Sequence, residues 1–307
     1  MGEKTNYIIE IQNVGRTFST ASGDFQALKG VNANIPEGML TILKGRSGSG
    51  KTTLLNIVGA LDNPTTGRVV IEGQDVGKLS AYQKENLRRK KIGFVFQSVS
   101  LIPSMNAFQN VEFSMRMAGI RGDHKKRVEE CLKMVGLGSR MHHMPSEMSG
   151  GEQQRVAIAR AIAHGPSIIL ADEPTAELDS AMAAEVTKLF QEMTRREHVT
   201  IVMTTHDVGL MDAGDMVIEL ENGMQISHNV EPLAESSAEA AAQGEADVQA
   251  QGDAEAAAVA AESYADAQAK VYAETVAEAF AESEAGASAE AVTYTGSEAG
   301  SDAEPKA

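Results

Sequence analysis

The chain reads as an α/β protein: a mostly parallel sheet with flanking helices, an antiparallel β layer beside it and an α-helical insertion. Three observations predict this. An apolar run at 39–43 enters a glycine-rich loop and leaves it as a helix starting near Lys51. Two further apolar runs, 167–171 and 199–203, bracket a helical stretch at 181–195, and strand–helix–strand order implies right-handed parallel crossovers. From about 106 to 164 the spacing turns helical, with Val128, Cys131, Leu132 and Val135 on one face.

The remaining elements follow in order. Residues 7–11 and 14–18 form a first strand region, and 28–35 alternates as a half-buried strand does. Pro36, Glu37 and Gly38 turn the chain into the run at 39–43. Residues 67–73 give another short strand, and these three regions make the antiparallel layer. A polar helix is predicted at 82–91, then a buried strand at 92–96 ending at Gln97. Residues 217–220 and 224–226 close the body as a hairpin across Glu221, Asn222 and Gly223. Met115, Met117, Met134, Met141, Met144 and Met148 are expected as packing residues, and His142 and His143 as loop.

A chain of 307 residues holds one large core or two modest ones. Its formal charge of −16 is concentrated at one end: residues 231–307 carry 17 acids and two bases, leaving −1 for the rest. A neutral body gives no electrostatic case for nucleic-acid binding. The basic clusters at 88–91 and 125–127 are expected on solvated helix faces. Cys131 is the one cysteine, which excludes an internal disulfide and a cysteine-based zinc site and suggests a reducing compartment. The N-terminus has no apolar signal core, and no run approaches the roughly 18 residues of a membrane span. Residues 231–307 contain 27 alanines and few large apolar groups, so a disordered extension is expected. The domain division is therefore 1–230, with a helical subdomain at about 98–164, followed by the acidic tail.

Three motifs carry chemistry. Gly45, Arg46, Ser47, Gly48, Ser49, Gly50, Lys51, Thr52 and Thr53 form a Walker A phosphate loop in its required strand–loop–helix setting. Its glycines let successive N–H groups surround a phosphate, and the helix aims its positive end at the same anion. Lys51 supplies charge for the β- and γ-phosphates, and the Thr52 hydroxyl is a ligand for Mg²⁺. The second motif is the apolar run ending in Asp172 and Glu173. Two acids there are costly unless they serve a cation or a reaction. Asp172 suits Mg²⁺ and Glu173 suits an attacking water, so hydrolysis of ATP or GTP is expected. The third is Ser149, Gly150, Gly151 and Glu152 at a helix start. On the residues alone, an ordinary capping box and a turn open to phosphate fit equally well.

With these motifs in order, the chain resembles the ATP-binding subunits of ATP-binding cassette (ABC) transporters over about 5–228, which have a phosphate-loop (P-loop) NTPase core. The nearest likeness is to the lipoprotein-releasing, macrolide-exporting and FtsE-like group, on residues 27–31, 54–62, 92–97 and 145–161. The resemblance implies that Phe18 stacks on adenine, that Gln97 touches Mg²⁺ and water, and that His206 contacts the γ-phosphate. It places Asp179 in the D-loop. It also implies that Ser149 and Gly151 reach ATP held by a second ATPase subunit, in a homodimer or with a sister subunit, and that the pair drives separate transmembrane permease subunits from the cytoplasmic face of the membrane. An FtsE-like regulatory scaffold without cargo is the alternative reading. Two departures from the group stand out: Arg46 where proline is common, and Ala176-Glu177 in place of Gly-Asn.

Overall fold

In the computed structural model, residues 7–20, 23–206 and 208–229 are described. The expectation of a disordered tail lies outside them.

Two sheets form the frame. The first is antiparallel, in the order β2-β1-β4-β5, from β1 (Tyr7–Thr20), β2 (Gly23–Pro36), β4 (Thr66–Ile71) and β5 (Gln74–Asp75). The expected alternation holds in β2, where Val31, Ala33 and Ile35 are buried and Asn32 and Asn34 are exposed. The second sheet contains β3 (Leu40–Lys44), β6 (Ile92–Val95), β7 (Ile168–Ala171), β8 (Thr200–Thr205), β9 (Met216–Glu221) and β10 (Met224–Asn229). Its order is β10-β9-β3-β8-β7-β6, parallel except for the antiparallel edge strand β10. Strands β6, β7 and β8 are buried along their whole length, as apolar runs covered on both faces must be. The closing hairpin turns on Asn222 and Gly223 alone, both at positive φ, the geometry that matches strand twist in a two-residue turn.

Helix α1 (Lys51–Val58) packs Leu54, Leu55, Ile57 and Val58 into the core between the two sheets. Helices α2 (Ala81–Lys91), α3 (Ala107–Met117) and α4 (Lys125–Met134) follow. On the other side of the large sheet, α3, α4, α5 (Gly150–Ala163) and α6 (Ser180–Glu197) share a second core with β7 and β8. A short helix α7 (Val208–Met211) precedes β9. Val128, Cys131, Leu132 and Val135, on and just after α4, are all buried in the second core, and burial pushes the Cys131 thiol up to about 11, which suits packing and not reactivity.

Three expectations need correction. Met134 is exposed, because it points away from the face that Cys131 and Leu132 present to the core. Arg88 and Arg127 are not freely solvated: Arg88 donates to the Ala60 carbonyl at 2.8 Å, and Arg127 to the Ile162 and Ala163 carbonyls at the end of α5. Long stems let both side chains lie along the body and satisfy carbonyls that helix ends leave open.

Candidate functional site

The glycine-rich loop joins β3 to α1 at the carboxyl end of the parallel sheet, the edge where ligands bind in open α/β folds. Gly50 is the N-cap of α1 at φ 101, and a Cβ there would sit 2.7 Å from the Ala27 carbonyl oxygen and the Leu28 Cδ2. No other residue fits that turn without displacing β2. The loop is backed by the closing hairpin, since Gly223 donates its N–H to the Ser49 carbonyl at 3.2 Å. Arg46, Ser47 and Gly48 are exposed, while Ser49, Lys51 and Thr53 are buried. Lys51 Nζ donates to the Gly45 and Arg46 carbonyls at 2.8 and 3.0 Å. Burial lowers the Lys51 pKa, opposed by the charges of Glu173 and Asp172.

Strand register brings the two acids to this loop. Ala171 pairs with Met203 and with Val95, so Asp172 and Glu173 leave β7 beside Thr204 and Phe96. Thr52 Oγ1 donates to Asp172 Oδ2 at 2.7 Å, and Thr204 Oγ1 donates to Asp172 Oδ1 at 2.6 Å. Burial raises the Asp172 pKa, and both hydroxyls oppose that rise. Glu173 adopts φ 44, a left-handed conformation, held by its N–H donating to Thr204 Oγ1 at 2.8 Å. Strain of this kind gathers at functional sites. Its Oε2 lies 3.2 Å from His206 Nδ1. Sequence reasoning gave Thr204 no role. Thr204 is one of three threonines on β8, and only the strand pairing shows that it is the one level with Asp172.

The donor set fits the groups implied for it. Lys51 commits two of its three protons to the loop, and Ser49 Oγ is buried without a hydrogen-bond partner inside the same turn. Thr52 and Asp172 are hard oxygen donors. Among the described residues no cluster of three His, Cys, Asp or Glu side chains forms a metal cage. Mg²⁺ suits such a place, because it takes one or two protein ligands with phosphate and water for the rest.

The other site candidates sit apart. Ser149 caps α5 in a reciprocal box: it accepts from the Glu152 N–H at 3.2 Å, and Glu152 Oε2 accepts from the Ser149 N–H at 2.9 Å. The Ser149 N–H bond, with the Ser149 hydroxyl donating to the same oxygen at 3.2 Å, holds the Glu152 carboxyl below its usual range, and Arg140 Nε, 3.3 Å from Glu152 Oε1, adds to the effect. Arg140 is a second residue that the sequence left unmarked. At the start of the helix Gly150 is exposed and Gly151 half-buried, and among the described residues no hydrogen bond joins either to the phosphate loop of the same chain. Gln97 is exposed just beyond β6. Its loop is tied to α5 by Arg160, which donates to the Ser100 carbonyl at 2.6 Å, and by Gln154 on Phe96 O at 3.5 Å. Asp179 caps α6 through the Met182 N–H at 2.9 Å. Phe18 lies on β1 with the Arg16 guanidinium 4.5 Å over its ring, so an adenine stacked on that face would share the ring with a cation.

Parallel sheet, phosphate loop and adjoining acids together define a nucleoside-triphosphatase fold of the phosphate-loop class. The comparisons identify which one. The ABC transporter family profile matches residues 28–176. An uncharacterized ABC transporter ATP-binding protein of Thermotoga maritima is 43% identical over 217 residues, covering 70% of this chain and 92% of its own. The macrolide export ATP-binding/permease protein MacB of Wolinella succinogenes is 43% identical over 231 residues, 75% of this chain but 36% of that longer protein. The dimeric cassette MJ0796, from Methanocaldococcus jannaschii, solved in a post-hydrolysis state with ADP and Pi, superposes with a TM-score of 0.70 at 40% identity. That match covers 73% of this chain and all of the solved one. The chain belongs to the ABC transporter ATP-binding proteins and is an ATPase. No helix among the described residues is long and apolar enough to cross a membrane.

Proposed function

We propose that this chain is the motor of a membrane transporter, with two copies closing on two ATP molecules at the cytoplasmic face to drive separate transmembrane permease subunits. The observation that carries the reading is the split of the site. The phosphate loop, Asp172, Glu173 and His206 lie together at one end of the sheet. Ser149, Gly150 and Gly151 present a capped helix start that no interaction ties to that loop within the chain. A helix start that opens on two glycines, the first of them exposed, favours an approaching phosphate. A second copy supplies that phosphate and completes both sites.

Within this reading Gly45 to Thr53 cradle the phosphates, Lys51 meets the β- and γ-oxygens with its remaining proton, and Phe18 carries the adenine. Thr52, Asp172 and Gln97 would hold Mg²⁺, which when bound neutralises charge developing on the phosphate oxygens. Glu173 orients water and takes its proton as oxygen attacks phosphorus, and the β–γ bridge oxygen departs with ADP. His206, 3.2 Å from Glu173, fixes that carboxylate and contacts the transferred phosphate. Asp179 holds the start of α6 against the shared interface. A permease partner is supported by the likeness to MacB, an ATP-binding/permease protein. Here the permease would be a separate protein.

Co-purification of the full chain with membrane proteins encoded beside it, followed by ATPase assay in lipid nanodiscs, tests this reading. Stable association and altered turnover are expected. Turnover identical in the presence and absence of every such protein would overturn it.

A further inference from the structure

The two departures noted in the sequence carry opposite charges, and the structure places each at an edge of a different half-site. Arg46 is exposed at the rim of the phosphate loop, while the loop's other cation, Lys51, is buried and bonded to loop carbonyls. Glu177 is exposed and lies against the start of α5. A Cβ on Gly150 would be 3.4 Å from Glu177 Oε2, and one on Gly151 would be 3.1 Å from the Glu177 carbonyl oxygen. Arg46 and Glu177 each lack an ion-pair partner among the described residues.

We propose that, when two copies close on ATP, Arg46 of each pairs with Glu177 of the partner subunit. This rests on the reading above, in which Gly150 and Gly151 meet phosphate held in the opposite copy's loop. A carboxylate touching the first turn of α5 is then carried to the rim of that loop, and the exposed charge waiting there is a guanidinium. Two-fold symmetry makes the contact twice. Both ions are solvated in the single chain, so the attraction is gained only on closure. It offsets the repulsion that Glu177 would otherwise present to an incoming triphosphate. The pair also selects its partner, because a cassette lacking the complementary charge would close less readily on this one.

The test uses the full chain carrying Glu173→Gln to slow turnover. Dimer dissociation constants are measured with saturating MgATP by sedimentation velocity at low and high salt. Arg46→Glu and Glu177→Arg are each expected to weaken the dimer about tenfold, and their combination to return it to within about threefold of the parent. The neutral variants Arg46→Gln and Glu177→Gln should be non-additive and should flatten the salt dependence. Additive losses in both sets, with no rescue by the double reversal, would overturn the pair. If Arg46→Glu instead loses ATP in the single chain, by fluorescent-nucleotide titration, and Glu177→Arg does not restore dimerisation, Arg46 serves its own nucleotide and the pair is again overturned. A parent that stays monomeric with MgATP would sink the two-copy reading itself, a result distinguishable from failure of the pair alone.

Discussion

Thr52, on the helix after the glycine loop, donates its hydroxyl hydrogen to Asp172 Oδ2 at 2.7 Å, tying the loop to the end of β7 across 120 positions of sequence. Thr204 supplies a second hydroxyl to the same carboxylate at 2.6 Å. Asp172 is thus a buried anion held by two neutral donors, and the Lys51 ammonium helps balance it at longer range.

Replacing Asp172 with Asn removes that charge while keeping the shape. The lost charge-assisted bonds and the relieved burial of an anion oppose each other, so stability should change by less than about 1 kcal/mol in urea unfolding. Mg²⁺-dependent ATP hydrolysis should fall on the order of a hundredfold. Undiminished hydrolysis at saturating Mg²⁺ would show that Asp172 is structural only.

Gly50→Ala probes the turn that sets the loop. The new Cβ meets the Ala27 carbonyl and Leu28, at φ 101, so strain and overlap should cost about 2–4 kcal/mol. Chemical denaturation measures this directly. A cost below about 0.5 kcal/mol would mean that β2 yields easily and that the loop's shape is not fixed by its backing.

His164, after the last turn of α5, should set a pH dependence of stability. Burial lowers its pKa from 6.5 to about 4; Ile92 and Arg160 face the ring with their backbones, but neither ring nitrogen makes a hydrogen bond of good geometry. The unfolded chain therefore binds the proton more tightly between those values. The stability contributed by the neutral ring is present above about pH 6.5 and is lost as pH falls toward 4, by about 3 kcal/mol. His164→Gln should remove that component from urea titrations at pH 4 and 7. Parallel losses in both proteins would assign the acid sensitivity elsewhere.

Much of this site was legible because its motifs are local. The phosphate loop, its helix and the strand ending in Asp172 and Glu173 each occupy a few consecutive residues, and each fell where the spacing put it. What depended on pairing across the sheet was not legible. Thr204 matters because β8 lies beside β7 in one register, and Arg140 matters because a loop before α5 folds back onto Glu152. The sequence of the hairpin at Asn222 and Gly223 marks a closing element, yet its turn also backs Ser49, whose carbonyl accepts from the Gly223 N–H at 3.2 Å. Arg88 and Arg127 looked like solvent charges, since nothing in sequence says which helix carbonyl a long side chain will reach.

In the proposed function two chains share two ATP sites, and Glu173 fires them. Glu173→Gln keeps the size and the strained backbone but removes the base beside His206. Mixed with MgATP and followed by light scattering on a sizing column, it should run as a dimer while turnover falls at least about a hundredfold. A variant that remains monomeric in MgATP and hydrolyses it at the parent rate would contradict the account.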